Sequence, residues 1–382
     1  MNSANQLTRR EFVAAAGCAS LWASEAIATG SDRPAVALPL RLCGGVSLAG
    51  AEFAAEGAGF SNQNPGIYGR DYQYPQRSTI EYFAARGLGL LRIPFRWERL
   101  QPRLFAPLAS PELARMREVI DRARASDAAV VLDLHNYGRY RLKQGNQART
   151  VIIDEQIDGT VPVPRAAFAD VWRRLAAEFA SDATVMGLGL MNEPHDMKSS
   201  DWKAISQAGV DAVREVNRTA WVVVAGDGWS NAHRFEEVNG PRAWIRDAAN
   251  RVVYEAHCYF DADASGKYRH SFVAELRDDP RLAERGVARL RVFLDWCRRN
   301  QVAGFLGEFG IPGDDAGWQE VLSRALASIE HTKVSACYWA AGEWWHDYPL
   351  SIQPRNDMRD PAPQQQVVAR FLANRTTTPR PF

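Results

Sequence analysis

The chain has 382 residues, of which 46% are hydrophobic, so it can bury one large core or form two to three domains of ordinary size. Its 46 Lys and Arg residues balance 45 Asp and Glu residues, and the formal net charge of +1 excludes a strongly basic nucleic-acid binder and a strongly acidic tail protein. The 12 Trp residues are flat apolar rings that serve either as core or as surfaces for sugar stacking.

The first 28 residues have the pattern of an export signal. Arg9 and Arg10 precede Phe12 and a weakly hydrophobic, Ala-rich stretch, which resembles a twin-arginine signal. The sequence AIA that ends at Ala28 fits the A-x-A cleavage pattern, and the alternative is an ordinary exposed helix. We predict a mature chain that starts near Thr29 and a periplasmic or secreted protein. No later stretch has about 20 apolar residues, so no membrane span is expected.

Eight short β-rich segments recur along the rest of the chain. They are Leu42–Ser47, Leu88–Pro94, Ala129–His135, Val185–Asn192, Ala220–Gly226, Val252–His257, Ala303–Glu308 and Val334–Ala340. The helix-like segments between them include Glu112–Ser126, Arg165–Ala180, Asp201–Asn217, Glu284–Asn300 and Trp318–His331. Alternating strands and helices predict a parallel sheet, and eight such units fit an α/β fold of the (β/α)8 TIM-barrel type. A dinucleotide-binding fold is disfavoured because no GxGxxG follows an early strand.

We predict a single catalytic barrel over residues 29–373 and a frayed polar tail over 374–382. The long segment 49–77, which joins the first strand to its helix, is expected on the C-terminal face of the barrel, where active sites lie. The alternative for this segment is a structural cover over the barrel mouth.

Polar and aromatic residues collect where the predicted strands end. They are Arg92, His135, Asn136, Asn192, Glu193, His257, Tyr259, Glu308 and Trp339. Charged side chains after apolar strands are costly unless they are paired. A barrel brings all of its strand ends to one face, so we predict that these residues form one site.

Glu193 in LMNEPH and Glu308 in LGEFG are the two acids of this set. Paired carboxyl groups suit glycoside hydrolysis, in which one protonates the leaving oxygen and the other is the nucleophile or the base. Arg92 beside Glu308 would lower the pKa of that carboxyl. We expect Asn192 to bind the sugar's 2-hydroxyl and Tyr259 to donate to Glu308.

His135 and His257 are expected to orient the site. The alternative is a metal site that includes Asp133, but no HExxH or similar ligand spacing is present. A Ser-His-Asp hydrolase is disfavoured because the sequence contains no GxSxG. Four Cys follow the signal, at positions 43, 258, 297 and 337; without a CxxC pair we expect buried free thiols, although a periplasmic disulfide is permitted.

Several Trp residues fall near the same strand ends. The candidates for outer sugar subsites are Trp97, Trp229, Trp344 and Trp345. Trp339 follows an apolar strand directly into the predicted mouth and is a candidate sugar-stacking residue. Trp172, Trp296 and Trp318 fall within predicted helices, so we assign them to packing.

The motifs together resemble glycoside hydrolase family 5, the family that includes many cellulases. The resemblance covers about Leu42 to Pro354 and rests on RIPFRWERL, DLHNYGRY, NEP, HCYFD and GEFG in this order, while GVSLAGAEF and WAAGEWWHDYPLSIQP resemble its bacterial endoglucanase branch. It implies a retaining double displacement on β-1,4-glucan, with Glu193 as acid/base and Glu308 as nucleophile. It implies no metal and no organic cofactor. The supporting positions it implies are Arg92, His135, Asn192, His257, Tyr259 and Trp339.

Four positions depart from the pattern of that branch. Ser47 stands where Asn is usual, Cys258 where Gln is usual, and Glu343 and His346 where Pro and Gly are more frequent. Because the last two lie near the mouth, β-mannan, mixed-linkage glucan or β-1,3-glucan remain alternative substrates. A non-catalytic polysaccharide-binding barrel and a structural protein are alternatives of other classes. We expect a monomer with a β-glucan polysaccharide or oligosaccharide as its partner and no nucleic acid.

Overall fold

A computed structural model describes residues 44–373 except 331 and 333. The predicted export signal, its cleavage site, Cys43 and the tail 374–382 lie outside the described residues. The predicted boundaries of the mature chain therefore stay predictions.

Eight parallel strands close into a barrel, which confirms the predicted (β/α)8 architecture. The ten strands of the described chain are β1 Gly44–Leu48, β2 Leu90–Phe95, β3 Ala129–Leu134, β4 Arg139–Gln144, β5 Gln147–Ile152, β6 Val185–Gly189, β7 Trp221–Ala225, β8 Val252–His257, β9 Ala303–Glu308 and β10 Val334–Ala341. The barrel order is β1-β10-β9-β8-β7-β6-β3-β2. In this register Arg92 of β2 lies beside Ser47 of β1 and Val131 of β3, and His257 lies beside Glu308.

Helices cover the outside of the barrel. They are α1 Arg77–Ala84, α2 Trp97–Leu100, α3 Ser110–Ala125, α4 Arg165–Glu178, α5 Trp202–Val216, α6 Phe235–Asn239, α7 Phe272–Asp278, α8 Arg285–Asn300, α9 Ala316–Ile329 and α10 Gln365–Leu372. Local chemistry fixes two of the starts, because Asp201 and Asp315 each accept hydrogen bonds from two backbone N–H groups of the first turn of α5 and α9. The five helices predicted from sequence are all present.

The core fills both faces of the strands. Inside the barrel, Leu90, Val131 and Val223 pack with Phe305 and Cys337. Strands covered on both faces explain why VVLDL and WVVVA are almost continuous apolar runs. The helical Trp172, Trp296 and Trp318 are at most 1% exposed, which confirms their assignment to packing.

A β-hairpin of β4 and β5 follows β3 and was not predicted. Its sequence RYRLKQGNQARTVI is polar, so it lacks the apolar run that marks the barrel strands. The hairpin turns at Gly145, where φ is 58°. The backbone N–H of Asn62 donates to the Arg141 carbonyl at 2.8 Å, and Lys143 N–H donates to the Asn62 side chain at 2.8 Å. The hairpin and the long segment 49–76, which ends where α1 begins, thereby form one wall of the barrel mouth.

In the described part of the chain, Cys258, Cys297 and Cys337 are buried thiols outside any disulfide, as expected from their spacing. None of the helices formed by the described residues is long and apolar enough to cross a membrane.

Candidate active site

The two predicted acids face each other at the C-terminal end of the barrel. Glu308 is the last residue of β9, and Glu193 follows β6. One carboxylate oxygen of each, together with a ring nitrogen of His257, lie within 4.8 Å of one another. Carboxyl groups are about 5–5.5 Å apart in retaining glycosidases and about 6.5–9.5 Å apart in inverting ones. Carboxyl oxygens this close together favour the retaining arrangement over the inverting one.

Glu308 is buried and held from two sides. Arg92 Nη1 donates to Oε1 at 3.0 Å, and the Tyr259 hydroxyl donates to Oε2 at 2.9 Å. Burial nevertheless raises the pKa of Glu308 above its ordinary value, against the positive charges of His257 and Arg92. This direction differs from the lowering expected from Arg92 alone, because the sequence does not reveal how completely the carboxyl is removed from water.

Glu193 is the more open of the two acids, with 15% of its side chain exposed. Its Oε1 lies 2.7 Å from His257 Nδ1. Its backbone adopts a φ of 43°, a left-handed conformation that costs on the order of 1 kcal/mol for a residue with a side chain. The flanking residues are held by other loops, since Tyr137 N–H donates to the Asn192 carbonyl and Trp229 N–H to the Pro194 carbonyl, each at 3.0 Å. These contacts aim Glu193 into the mouth.

Arg92 connects the parts of the site. Its Nη2 donates to Asn192 Oδ1 at 2.6 Å and lies 3.2 Å from an Asp133 oxygen, while its Nε lies 3.3 Å from Glu255 Oε1. Burial by itself would lower the pKa of Arg92, but the charges of Asp133, Glu255 and Glu308 outweigh it, and the net direction is upward. The guanidinium is thus a permanent cation at the centre of the site.

His135 is fixed by three neighbours. Its Nδ1 lies 2.8 Å from Asp133 Oδ2, and its Nε2 lies 3.2 Å from Asn192 Nδ2. Its ring stacks on Trp339 with centroids 5.4 Å apart and planes at 12°. His135 therefore orients both the amide of Asn192 and the indole of Trp339.

Two predicted site residues are buried and held by protein partners. Asn136 Oδ1 accepts from the Trp97 backbone N–H at 2.9 Å, and its Nδ2 donates to Glu98 at 2.9 Å and to the Arg139 carbonyl at 3.1 Å. Asn136 is a supporting residue with both ends of its amide on protein partners. Trp97 is 0% exposed and packs against Tyr140, so the prediction that it forms an outer sugar subsite is wrong.

The other candidate Trp residues lie in loops at the mouth. Trp229, in the loop after β7, is 47% exposed, and its ring stacks on His195 at a centroid distance of 3.4 Å. Both rings line a cavity of about 690 Å³ together with Glu193 and Tyr137. In the loop after β10, Trp345 contacts Trp339 edge to face at 6.0 Å, and Trp344 is half-buried. Aromatic rings thus lie at the mouth on the loops after β7 and β10, and β8 and β9 separate these two loops in the barrel.

Glu343 contacts the start of α1. Its Oε1 accepts from the Thr79 hydroxyl at 2.7 Å and from the Gln76 backbone N–H at 2.9 Å. The carboxylate connects the final loop to the end of segment 49–76, whereas the neighbouring His346 is exposed.

Glu255 was not predicted as a site residue, yet it lies in the site. Its Oε1 lies 3.1 Å from His257 Nε2 and 3.3 Å from Arg92 Nε. A signal was present, because Glu255 precedes His257 by two residues and therefore shares its face of the strand.

Among the described residues, the one cluster with spacing suited to a metal ion is Glu193, His257 and Glu308. A divalent ion there would lie beside the Arg92 guanidinium, which already pairs with Glu308. The donor set therefore suits proton transfer better than metal binding, and the predicted lack of a metal remains a prediction.

A (β/α)8 barrel with two facing carboxyl groups at its strand ends is the arrangement of a glycoside hydrolase. The profile of the family described as cellulase (glycosyl hydrolase family 5) matches residues 46–344, and the chain belongs to this family.

Solved structures and a curated relative agree with this membership. The structure of an endo-β-1,4-glucanase from Xanthomonas axonopodis pv. citri is 35% identical, with a TM-score of 0.75 over 88% of this chain and 99% of that one. Pseudomonas stutzeri endoglucanase Cel5A in complex with cellobiose is 35% identical, with a TM-score of 0.74 over 89% and 96%. An endoglucanase of Neurospora crassa is 32% identical over 81% of this chain and 72% of its own length.

Proposed function

We propose that the protein is a retaining endo-β-1,4-glucanase that hydrolyses internal bonds of a β-glucan chain. The observation that carries the proposal is the pair of facing acids, Glu193 and Glu308, which have carboxyl oxygens within 4.8 Å of each other, as a double displacement favours. The similarity to endo-β-1,4-glucanases and to a cellobiose complex supports the substrate class.

The first step forms a covalent sugar–enzyme ester. Glu193 gives its proton to the glycosidic oxygen while a Glu308 oxygen attacks the anomeric carbon, and the C–O bond to the leaving sugar breaks. Tyr259 and Arg92 hold Glu308 in line, each through one hydrogen bond to a different carboxylate oxygen. The amide nitrogen of Asn192 carries two N–H groups and directs one toward His135, so the other can bind the sugar's 2-hydroxyl.

The second step hydrolyses this ester. Glu193 is now ionised and takes a proton from water, whose oxygen attacks the anomeric carbon and releases Glu308. The partial exposure of Glu193 suits this role, because the water must enter from its side. Two inversions return the original β configuration.

Aromatic surfaces on both sides of the acids suit an enzyme that binds the middle of a chain. We assign Trp229 to the leaving-group side, because it lines the same cavity as Glu193. Trp339, Trp344 and Trp345 are assigned to the opposite side.

The function is tested by measuring viscosity loss and reducing-end release on carboxymethyl-cellulose, mannan, mixed-linkage glucan and β-1,3-glucan, with Glu308→Gln as the inactive control. With the wild-type protein we expect the viscosity of the cellulose derivative to fall rapidly while few new reducing ends appear. With the variant we expect neither change. Activity on another polymer alone would keep the mechanism and change the substrate. Binding of glucan without any new reducing ends would identify a non-catalytic binding barrel.

We further propose that the chain is exported, belongs to the bacterial endoglucanase branch and acts as a monomer. The Arg9-Arg10 pattern supports export, and the similarity to the Pseudomonas and Xanthomonas structures supports the branch. The monomer stays an expectation that light scattering after size exclusion would test.

Export through the twin-arginine route can be tested separately from the enzymatic activity. Replacing Arg9 and Arg10 by Lys together should leave the protein in the cytoplasm at its precursor length, because this signal requires the arginine pair. N-terminal sequencing of periplasmic protein should give a start near Thr29. Periplasmic protein that retains Met1, or unchanged export of the double variant, would contradict the assignment.

A further inference from the structure

Glu255 is a buried acid that the proposed mechanism leaves without a role. It is 1% exposed in β8, below the mouth of the barrel. Its Oε1 contacts His257 Nε2 at 3.1 Å and Arg92 Nε at 3.3 Å. A group so placed is out of reach of the sugar, so it acts on the reaction through these two neighbours.

The neighbouring strand makes room for this carboxylate. A Cβ atom on Gly307 of β9 would lie 1.7 Å from Glu255 Oε1, so no residue other than glycine fits at this position without moving Glu255. Gly307 directly precedes Glu308. Gly307, the first glycine of the GEFG motif, therefore allows Glu255 to pack beside the strand that carries the proposed nucleophile.

His257 has acids at both ring nitrogens. Its Nε2 faces Glu255, while its Nδ1 lies 2.7 Å from Glu193 and 3.6 Å from Glu308. An ionised carboxylate only accepts hydrogen bonds, so the imidazole satisfies both sides when it carries both protons.

Other titratable groups near His257 are Arg92 on β2, Asp133 on β3 and His135 directly after β3. Arg92 lies between Glu255 and Glu308, and Asp133 lies between Arg92 and His135. Burial would lower the pKa of His257, but the charges of Glu308, Glu193 and Glu255 raise it to about 10.

We propose that Glu255 is a positioning residue that keeps His257 doubly protonated and thereby fixes the hydrogen bond that His257 Nδ1 donates to Glu193. The inference rests on the proposed role of Glu193 as acid/base. If His257 lost one proton and kept the other on Nε2, its Nδ1 would accept instead of donate. The proton of Glu193 would then point to the ring and away from the glycosidic oxygen.

The test is Glu255→Gln, which keeps the shape of the side chain and removes its charge. In protein with 15N-labelled histidine, we expect the titration of His257 to move to lower pH by about 1 to 3 pH units. The sign follows from the raised pKa of His257, since removing a nearby negative charge favours the neutral ring. The kcat on cellohexaose should fall about 10- to 100-fold, and the alkaline limb of its pH profile should move to lower pH.

Glu112→Gln is the matched control. Glu112 is also buried, in α3, where it accepts from the hydroxyls of Tyr72 at 2.8 Å and Tyr74 at 3.0 Å. The Glu112→Gln variant should unfold at a lower temperature than wild type and keep the wild-type pH profile of kcat. An unchanged His257 titration in Glu255→Gln, or an unchanged pH profile, would overturn the inference and leave Glu255 a structural residue. Failure of the proposed function would show instead as no hydrolysis by the wild-type protein.

Discussion

Glu308→Gln is expected to lower kcat on soluble cellulose derivatives by about 10⁴-fold or more, because the amide cannot form the covalent intermediate. The fold should persist, since the amide oxygen of Gln can accept from Arg92 while its NH2 group donates to the Tyr259 hydroxyl, which can rotate to accept. Reducing-end assays with circular dichroism measure both quantities.

The comparison with Glu193→Gln separates the two roles. On a dinitrophenyl cellobioside, whose leaving group needs no proton, Glu193→Gln should still form the sugar–enzyme ester and then stall for want of a base. A burst of dinitrophenol followed by slow turnover is the expected result, and added azide should restore turnover. Glu308→Gln should show no burst.

Glu320→Gln serves as the control, because Glu320 lies on the surface of α9 in a salt bridge with Arg324, a kind of pair that contributes little. A burst of dinitrophenol from Glu308→Gln would reverse the assigned roles. Absence of the burst from both active-site variants would remove them.

Arg92→Met is expected to have the largest effect on stability, about 3–5 kcal/mol in the free energy of unfolding, with almost complete loss of activity. Methionine fills much of the same space but leaves three buried carboxylates, Asp133, Glu255 and Glu308, without the guanidinium that faces them. Urea unfolding measures the loss.

The loss of stability should depend on pH. Arg92 lowers the pKa of Asp133 and of Glu308, so without it both pKa values rise in the folded protein, and the folded variant binds more protons than folded wild type. Stability of the variant relative to wild type should therefore fall as pH rises from 5 to 8.

Arg214→Met is the matched control, because Arg214 is largely buried and forms its salt bridge with Asp247 through two nitrogens. Its other hydrogen bonds go to the backbone carbonyls of Asn217, Ala220 and Arg251. It should lose stability and keep activity. Equal stability losses at both pH values for Arg92→Met would contradict the assignment of Arg92 as the charge partner of the site.

The sequence by itself determined the barrel and most of its mouth. Continuous apolar strands alternating with amphipathic helices specify a doubly covered parallel sheet, and the residues at strand ends must meet on one face when that sheet closes. This rule placed Glu193 and Glu308 together although they lie 115 positions apart in the sequence. It also placed Arg92 beside Glu308.

Only the tertiary structure decided which of these side chains are exposed to solvent and which contact charged groups. Trp97 and Trp229 look alike in sequence, yet one packs beneath the hairpin and the other stacks on His195 in the open mouth. Glu255 gave a weak signal, because its partners Arg92 and His257 converge on it only in the closed barrel. The upward direction of the Glu308 pKa likewise comes from the burial that the whole barrel produces. Sequence periodicity reports local geometry, whereas exposure and electrostatic environment depend on groups that distant segments bring within a few ångströms.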